Sequence, residues 1–201
     1  MPATDTRMLR PEAIEIARAF VAEIEDCCDR LIVAGSLRRR LALIGDIEVV
    51  CTPKVETIPR YDVFGNITQQ SHYDLLDAHM AALLEQGTVS RRLDRNGSPR
   101  WGPTLKFLTF LGARVDLFCP NIERFGWILL LRTGPAAFSR QLVVERGRKT
   151  KDGRPGLLPP TLAPRDGYLT RRVSGERIET PDEQTVFELF GLDYLEPQER
   201  E

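Results

Sequence analysis

The chain has 201 residues, of which 42% are hydrophobic and 28% charged, and its formal net charge is −1. That is enough chain to bury a real core, as one large domain or two small ones, with the composition of an ordinary globular protein. The longest apolar runs, such as Trp127 to Leu131, fall far short of a membrane span, and the opening MPATDTRMLRPEA lacks the apolar centre of a signal peptide, so a cytoplasmic protein is expected.

Pro11 to Asp26 reads as an amphipathic helix, with Pro11 in its first turn and Ile14, Ala17, Val21 and Ile24 along one stripe. Leu31 to Ala34 is a short strand running into Gly35-Ser36, and Ile44 to Cys51 is a second strand closed by Thr52-Pro53. Residues 53–70 hold two prolines and a Gly-Asn pair and are expected to form a loop. Ser71-His-Tyr-Asp74 has the spacing of a capping box; it is expected to open a helix that ends at Gly87 and carries His72 and His79 on its surface. Lys106 to Leu111 and Arg114 to Cys119 pattern as two strands joined by a tight turn at Gly112-Ala113.

Pro120-Asn121 then breaks the pattern and marks a domain boundary. Beyond it, Thr133-Gly-Pro135 is expected to start a helix that runs to Arg148. Asp152 to Arg177 is rich in Gly and Pro, with short strand-like runs such as Tyr168-Leu-Thr170. Thr180-Pro-Asp-Glu183 is a second capping box, and Gly191 closes its helix. Cys27, Cys28, Cys51 and Cys119 form no CxxC and no metal-ligand spacing, so they are expected to be reduced and mostly buried.

Asp46 and Glu48 stand two apart in an otherwise apolar run, so a strand there points both carboxylates to one side and Ile47, Val49 and Cys51 to the other. Two close carboxylates resist ionising together unless a cation lies between them, and hard oxygen donors favour Mg²⁺ or Mn²⁺. Asp116 is a third acid in a similar setting, Arg-Val-Asp-Leu-Phe, and would join the pair if the two strands are neighbours. Three acids on one sheet face could then hold two ions about 4 Å apart. Alternation of this kind is common, and by itself it favours Asp46 and Glu48 on a solvated sheet face with Asp116 on an edge. Gly35-Ser36, with free backbone N–H groups and a hydroxyl suited to phosphate, followed at once by Arg38, Arg39 and Arg40, shifts the balance towards a metal–nucleotide site.

Charge is unevenly spread. From Arg124 to Arg177 there are twelve Lys or Arg against four acids, and from Ile178 to Glu201 eight acids against one Arg. The basic block points to a polyanion contact, with a solvated charged surface as the alternative.

Gly35-Ser-Leu-Arg-Arg39-Arg40, Gly45-Asp-Ile-Glu48 and Arg114-Val-Asp116, in that order, resemble the signature of the polymerase-beta-like nucleotidyltransferase superfamily, and most closely the family X DNA polymerases. Arg132-Thr-Gly-Pro-Ala-Ala-Phe138 resembles that family's Phe-Thr-Gly segment. Thr180-Pro-Asp-Glu183 and Tyr194-Leu-Glu-Pro-Gln-Glu-Arg200 resemble its C-terminal end, so the likeness covers nearly the whole chain. The resemblance implies an α+β fold: a nucleotidyltransferase palm over residues 1–120, a mixed sheet with flanking helices, followed by a small α/β thumb over residues 121–201. It implies two Mg²⁺ or Mn²⁺ ions held by Asp46, Glu48 and Asp116, with Asp116 at the ion that activates the attacking 3′-hydroxyl. Gly35, Ser36, Arg39, Gly45, Thr133 and Gly134 would bind the nucleotide. Arg114, Arg132, Ser139, Arg140, Arg146, Arg148 and Lys149 would meet DNA.

The activity so implied is that of a minimal DNA-directed DNA polymerase, acting as a monomer on a primer–template or short repair gap with dNTPs and with no membrane partner. Transfer to another acceptor, such as an RNA end, a small molecule or a protein, is the alternative, and a nucleotide-binding regulator without catalysis a third reading. Three departures stand out: Glu48 replaces the family's usual second Asp, Arg40 replaces a Gly, and Leu131-Arg132 replaces an aromatic pair. Only about ten residues precede the expected palm, so a lyase domain and a helix-hairpin-helix fingers domain are expected to be absent.

Overall fold

A computed structural model describes residues 7–94 and 96–200. β1 (Met8–Leu9) leads directly into α1 (Arg10–Ile24), whose buried stripe is Ala13, Ala17, Phe20 and Ile24. The stripe is rotated from the expected one, because Phe20 is the large residue that fills the core and Ile14 and Val21 are only half-buried. β2 (Cys28–Val33) then runs into α2 (Gly35–Arg38), a single helical turn.

The expected strand from Ile44 to Cys51 is broken. β3 (Leu43–Ile44) pairs with β1, the chain bends at Gly45 and Asp46, and β4 (Ile47–Pro53) follows. Residues 53–70 are not a loop. β5 (Val55–Tyr61) and β6 (Ile67–Asp74) form a two-stranded ribbon closed by a turn in which the Asp62 carboxylate accepts from the N–H groups of Phe64 and Asn66. Ser71 to Asp74 therefore ends a strand, and Asp74 alone caps α3 (Leu75–Glu85) by accepting from Asp77 N. His72 lies on the ribbon and His79 on the helix.

β7 (Val89–Arg91), β8 (Trp101–Gly102), β9 (Leu105–Phe110) and β10 (Ala113–Phe118) complete the main sheet, in the order β2-β4-β10-β9-β7 with β8 also on β9. The tight turn falls at Leu111–Gly112, both at positive φ, one residue earlier than expected. β4 and β10 are parallel and the other neighbours antiparallel, so the sheet is mixed.

Strand alternation sorts the side chains cleanly. Ile47, Val49 and Cys51 of β4, Val115 and Leu117 of β10 and Leu108 and Phe110 of β9 pack under α1 and α3. Val50 and Phe118, with Ala34, face the opposite side and pack under Phe125 and Leu129. Glu48 and Asp116 share that second side. All four cysteines are free, and Cys28, Cys51 and Cys119 are buried.

The helix over this second side is α4 (Phe125–Thr133), formed by the apolar run around Trp127. It ends at Gly134, and Pro135 caps α5 (Ala136–Val143), so the expected helix to Arg148 stops five residues short of it. β11 (Leu162–Arg165), β12 (Tyr168–Arg171) and β13 (Arg177–Ile178) make a small antiparallel sheet. In α6 (Glu183–Phe190), Asp182 rather than Thr180 is the cap, accepting from Thr185 N at 2.8 Å, and Gly191 closes the helix at φ 61°. A second core joins Trp127 and Leu130 of α4, Phe138 and Leu142 of α5, and Val186, Phe187 and Phe190 of α6. Among the described residues, no helix is long and apolar enough to cross a membrane.

Candidate active site

The bend at Gly45–Asp46 delivers Asp46 to the start of β4, one residue ahead of the strand and two ahead of Glu48. Arg114, on the neighbouring β10, fixes that bend by donating to Gly45 O from Nη2 at 2.9 Å and Nε at 3.3 Å. The register of the parallel pair then sets Asp116 directly beside Glu48. Asp46, Glu48 and Asp116 are thus near enough for their charges to act on one another, although among the described residues no three such groups are drawn together as an ion cage.

Burial and the neighbouring Asp46 charge push the Glu48 carboxyl up to about 8, against the pull of Arg132 and Arg39. Burial also raises Asp116, although Arg92 pulls it back down. Acids so desolvated ionise together only with a compensating positive charge. Gly35 sits against Glu48 so closely that a β-carbon there would lie 2.2 Å from Glu48 Oε2, and its φ of +62° is the left-handed conformation that favours glycine.

Ser36, Arg39, Asp46, Glu48, Arg132, Gly134, Ser139 and Arg140 line a single cavity of about 360 Å³. A roomier groove of about 540 Å³ lies elsewhere, between α1 and β2, and is walled by hydrocarbon from Ile14, Val21, Leu31 and Val33. Arg132 lines the same cavity as Asp46 and Glu48 with its guanidinium 4.1 Å above the Phe118 ring, and its charge acts on Glu48 and on Asp116, which does not line the cavity. Ser139 Oγ donates to Leu131 O at 2.8 Å, which ties α5 to the end of α4.

Thr133 differs from its expected neighbours. It is fully buried. Its hydroxyl accepts from Arg38 Nη1 at 2.7 Å, and its carbonyl accepts from Arg39 Nη1 in a close contact. Arg38 also donates twice to Glu183, at 2.8 and 2.7 Å, and Arg200 grips the same carboxylate from the other side at 2.7 and 3.1 Å. Burial raises the Glu183 carboxyl, but the bonds from Arg200 and Arg38 outweigh it and leave the group below its ordinary value. Glu183 thus has a long-range use that the expected capping-box role conceals, since Asp182 is the cap.

The expected DNA contacts are dispersed. Arg140 pairs with Asp152 at 3.0 Å on the rim of the cavity. Arg146 donates to Phe190 O at 2.6 Å, closing α6. Arg148 and Lys149 are exposed on the turn that follows α5. Arg92, by contrast, has no sequence signal at all. It makes a close ion pair with Asp116 and comes from the edge of the sheet.

A mixed sheet carrying the acids and a glycine-backed turn, followed by a second small α/β unit, is consistent with a palm-plus-thumb form. The DNA polymerase beta thumb family matches residues 156–201. DNA polymerase lambda of Rattus norvegicus is 26% identical to this chain over 203 residues, a match that takes in 97% of the chain and 33% of the relative. Residues 156–201 thus resemble the polymerase beta thumb, and the chain as a whole is similar to a family X polymerase, spanning about a third of the length of the curated relative it matches.

Proposed function

We propose that this chain is a divalent-metal-dependent nucleotidyltransferase of the DNA polymerase type, which adds a dNMP to a primer 3′-hydroxyl opposite a template in short DNA gaps. The carrying observation is the lateral placement of Asp116 beside Glu48, with Asp46 at the same end of the pair. We divide the chain into a palm over 1–120 and a thumb over 121–201. Their separate cores support that division, with α4 contributing to the cores on both sides.

Among the described residues no three acid, thiol or imidazole groups are already drawn together as an ion cage. The donor set nevertheless fits Mg²⁺ or Mn²⁺: it consists of hard carboxylate oxygens, and burial together with the neighbouring Asp46 charge holds Glu48 up at about 8 despite Arg132 and Arg39, a shift that a bound cation would oppose. Asp46, Glu48 and Asp116 would hold the metal. Bound there, it would offset phosphate charge and lower the pKa of the attacking hydroxyl.

The chain's own residues do the rest. Ser36, Gly35 and Arg39 face the triphosphate, and Gly45 and Gly134 leave room for the backbone to approach the nucleotide. Arg140 and Ser139 border the nascent pair. Arg132, Arg148 and Lys149 add positive charge along the DNA, where phosphate contacts give salt-dependent affinity. The primer oxygen bonds to the α-phosphorus as the pyrophosphate leaves, so the task is positioning and charge stabilisation rather than covalent catalysis.

Labelled gapped DNA, incubated with each dNTP singly in Mg²⁺ or Mn²⁺, tests this directly. Single additions dictated by the template are expected. Additions confined to RNA or to unpaired ends would assign the protein a different acceptor.

A further inference from the structure

The row of residues that carries Glu48 and Asp116 continues past β10. Asp116 lies opposite Phe107 on β9. Phe107 O accepts the backbone N–H of Arg92, one residue beyond β7, at 2.9 Å. The order across the sheet is therefore Arg92, Phe107, Asp116, Glu48. Lateral neighbours in a sheet share a face, so the four side chains stand in line.

Arg92 spans this line. Its guanidinium lies 4.7 Å from the centre of the Phe107 ring, and its Nη2 donates to Asp116 Oδ1. The two partners are only 23% and 14% exposed, so water screens the pair weakly. Among the described residues Arg92 Nε is buried without an acceptor. Leaving that donor unpaired is unfavourable, and the ion pair with Asp116 offsets it. The aromatic ring beneath the guanidinium fixes its height above the sheet.

We infer that Arg92 is a positioning residue for Asp116, and that it competes with a divalent cation for that carboxylate. The inference rests on the proposed metal-binding role of the three acids. Without metal, Arg92 supplies the charge that Asp116 needs and draws its carboxylate to the β9 side of the row. A cation taken up by Asp46 and Glu48 pulls the same carboxylate the other way. Arg92 therefore weakens the free protein's hold on the ion while presenting Asp116 in one orientation to the acceptor.

The test is Mn²⁺ binding to the nucleotide-free protein, read from the electron paramagnetic resonance signal of the free ion, together with single-nucleotide extension. Arg92→Gln should bind Mn²⁺ about tenfold more tightly than wild type, because a cation beside the site is gone, while extension slows. Arg92→Lys should return the affinity towards wild type. Arg92→Met keeps the hydrocarbon stem over Phe107 and gives the same reading if Gln disturbs folding. Unchanged Mn²⁺ affinity in both neutral variants overturns the inference, whatever their turnover. A wild-type protein that binds no Mn²⁺ would overturn the metal reading itself and this inference with it.

Discussion

Arg40 adopts φ 62°, a left-handed conformation that costs an ordinary L-residue about 1–2 kcal/mol. Its side chain is exposed, and its N–H donates to Leu37 O to close the turn after α2. Glycine meets that geometry without the steric penalty, so Arg40→Gly should raise stability by about 1 kcal/mol. Urea unfolding would show a higher midpoint with an unchanged slope; a lower midpoint would mean that the arginine stem makes a contact that outweighs the strain. The same residue illustrates what a sequence conveys. The family resemblance points to a glycine at position 40, but its reason is a positive φ that emerges only once the backbone is traced. Asp46, Glu48 and Asp116 are legible because an acid inside an apolar run is conspicuous. Arg92 is not, because an arginine at the end of a short edge strand is an ordinary surface residue until its register is known.

At the scale of elements, local signals work where hydrophobic alternation is strong and fail where it is absent. The β9–β10 hairpin and α6 are readable from alternation and from Gly191. The β5–β6 ribbon is not: it covers no core, so its strands lack an apolar face, and Pro59 and Gly65-Asn66 look like loop residues. Helix α4 escapes notice for the opposite reason. It buries Phe125 and Leu129 against the sheet and Trp127 and Leu130 in the second core, so it is apolar on both sides and shows no stripe.

Gly126 of α4 is the element's tightest point. Its N–H donates to Thr180 O at 2.7 Å, and a β-carbon there would lie 2.0 Å from Asp182 O. Gly126→Ala should therefore lower stability by about 1–3 kcal/mol by forcing α6 away from α4. Thermal unfolding that matches wild type would show that the two helices can separate freely.

At the scale of the molecule, the two parts are fastened by Glu183 between Arg38 and Arg200, a contact that reaches 145 residues along the chain and leaves no local sequence trace. Glu48 and Asp116 have the opposite character, since burial destabilises their charged forms. Glu48 titrates at about 8 when folded, against a reference of 4.5. The stability it contributes by staying protonated is full below pH 4.5 and is lost as the pH rises through 8. The melting temperature of metal-free protein should fall across that window, less so in Glu48→Gln, and Mn²⁺ should restore it at the alkaline end. A fall of equal size in wild type and Glu48→Gln would remove Glu48 as the cause.

The basic block also divides at this scale. Arg146 is committed to Phe190 O, whereas Arg148 and Lys149 are exposed. Neutralising Arg148 and Lys149 should flatten the dependence of log affinity for gapped DNA on log salt by roughly 2, since each phosphate that a cation neutralises adds about 0.9 to the slope. An unchanged slope would mark them as a solvated surface.

The central claim is that Asp46, Glu48 and Asp116 form one metal-dependent transfer site in which Asp116 serves the attacking hydroxyl. Asp116→Asn, which keeps a hydrogen-bond acceptor for Arg92, tests it when single-turnover extension of gapped DNA is measured alongside calorimetric binding of dNTP with Mn²⁺. Extension should fall by at least about three orders of magnitude, while nucleotide affinity stays within a few fold of wild type, because Asp46 and Glu48 still meet the metal carried by the phosphates. Near-normal extension by Asp116→Asn would contradict the account.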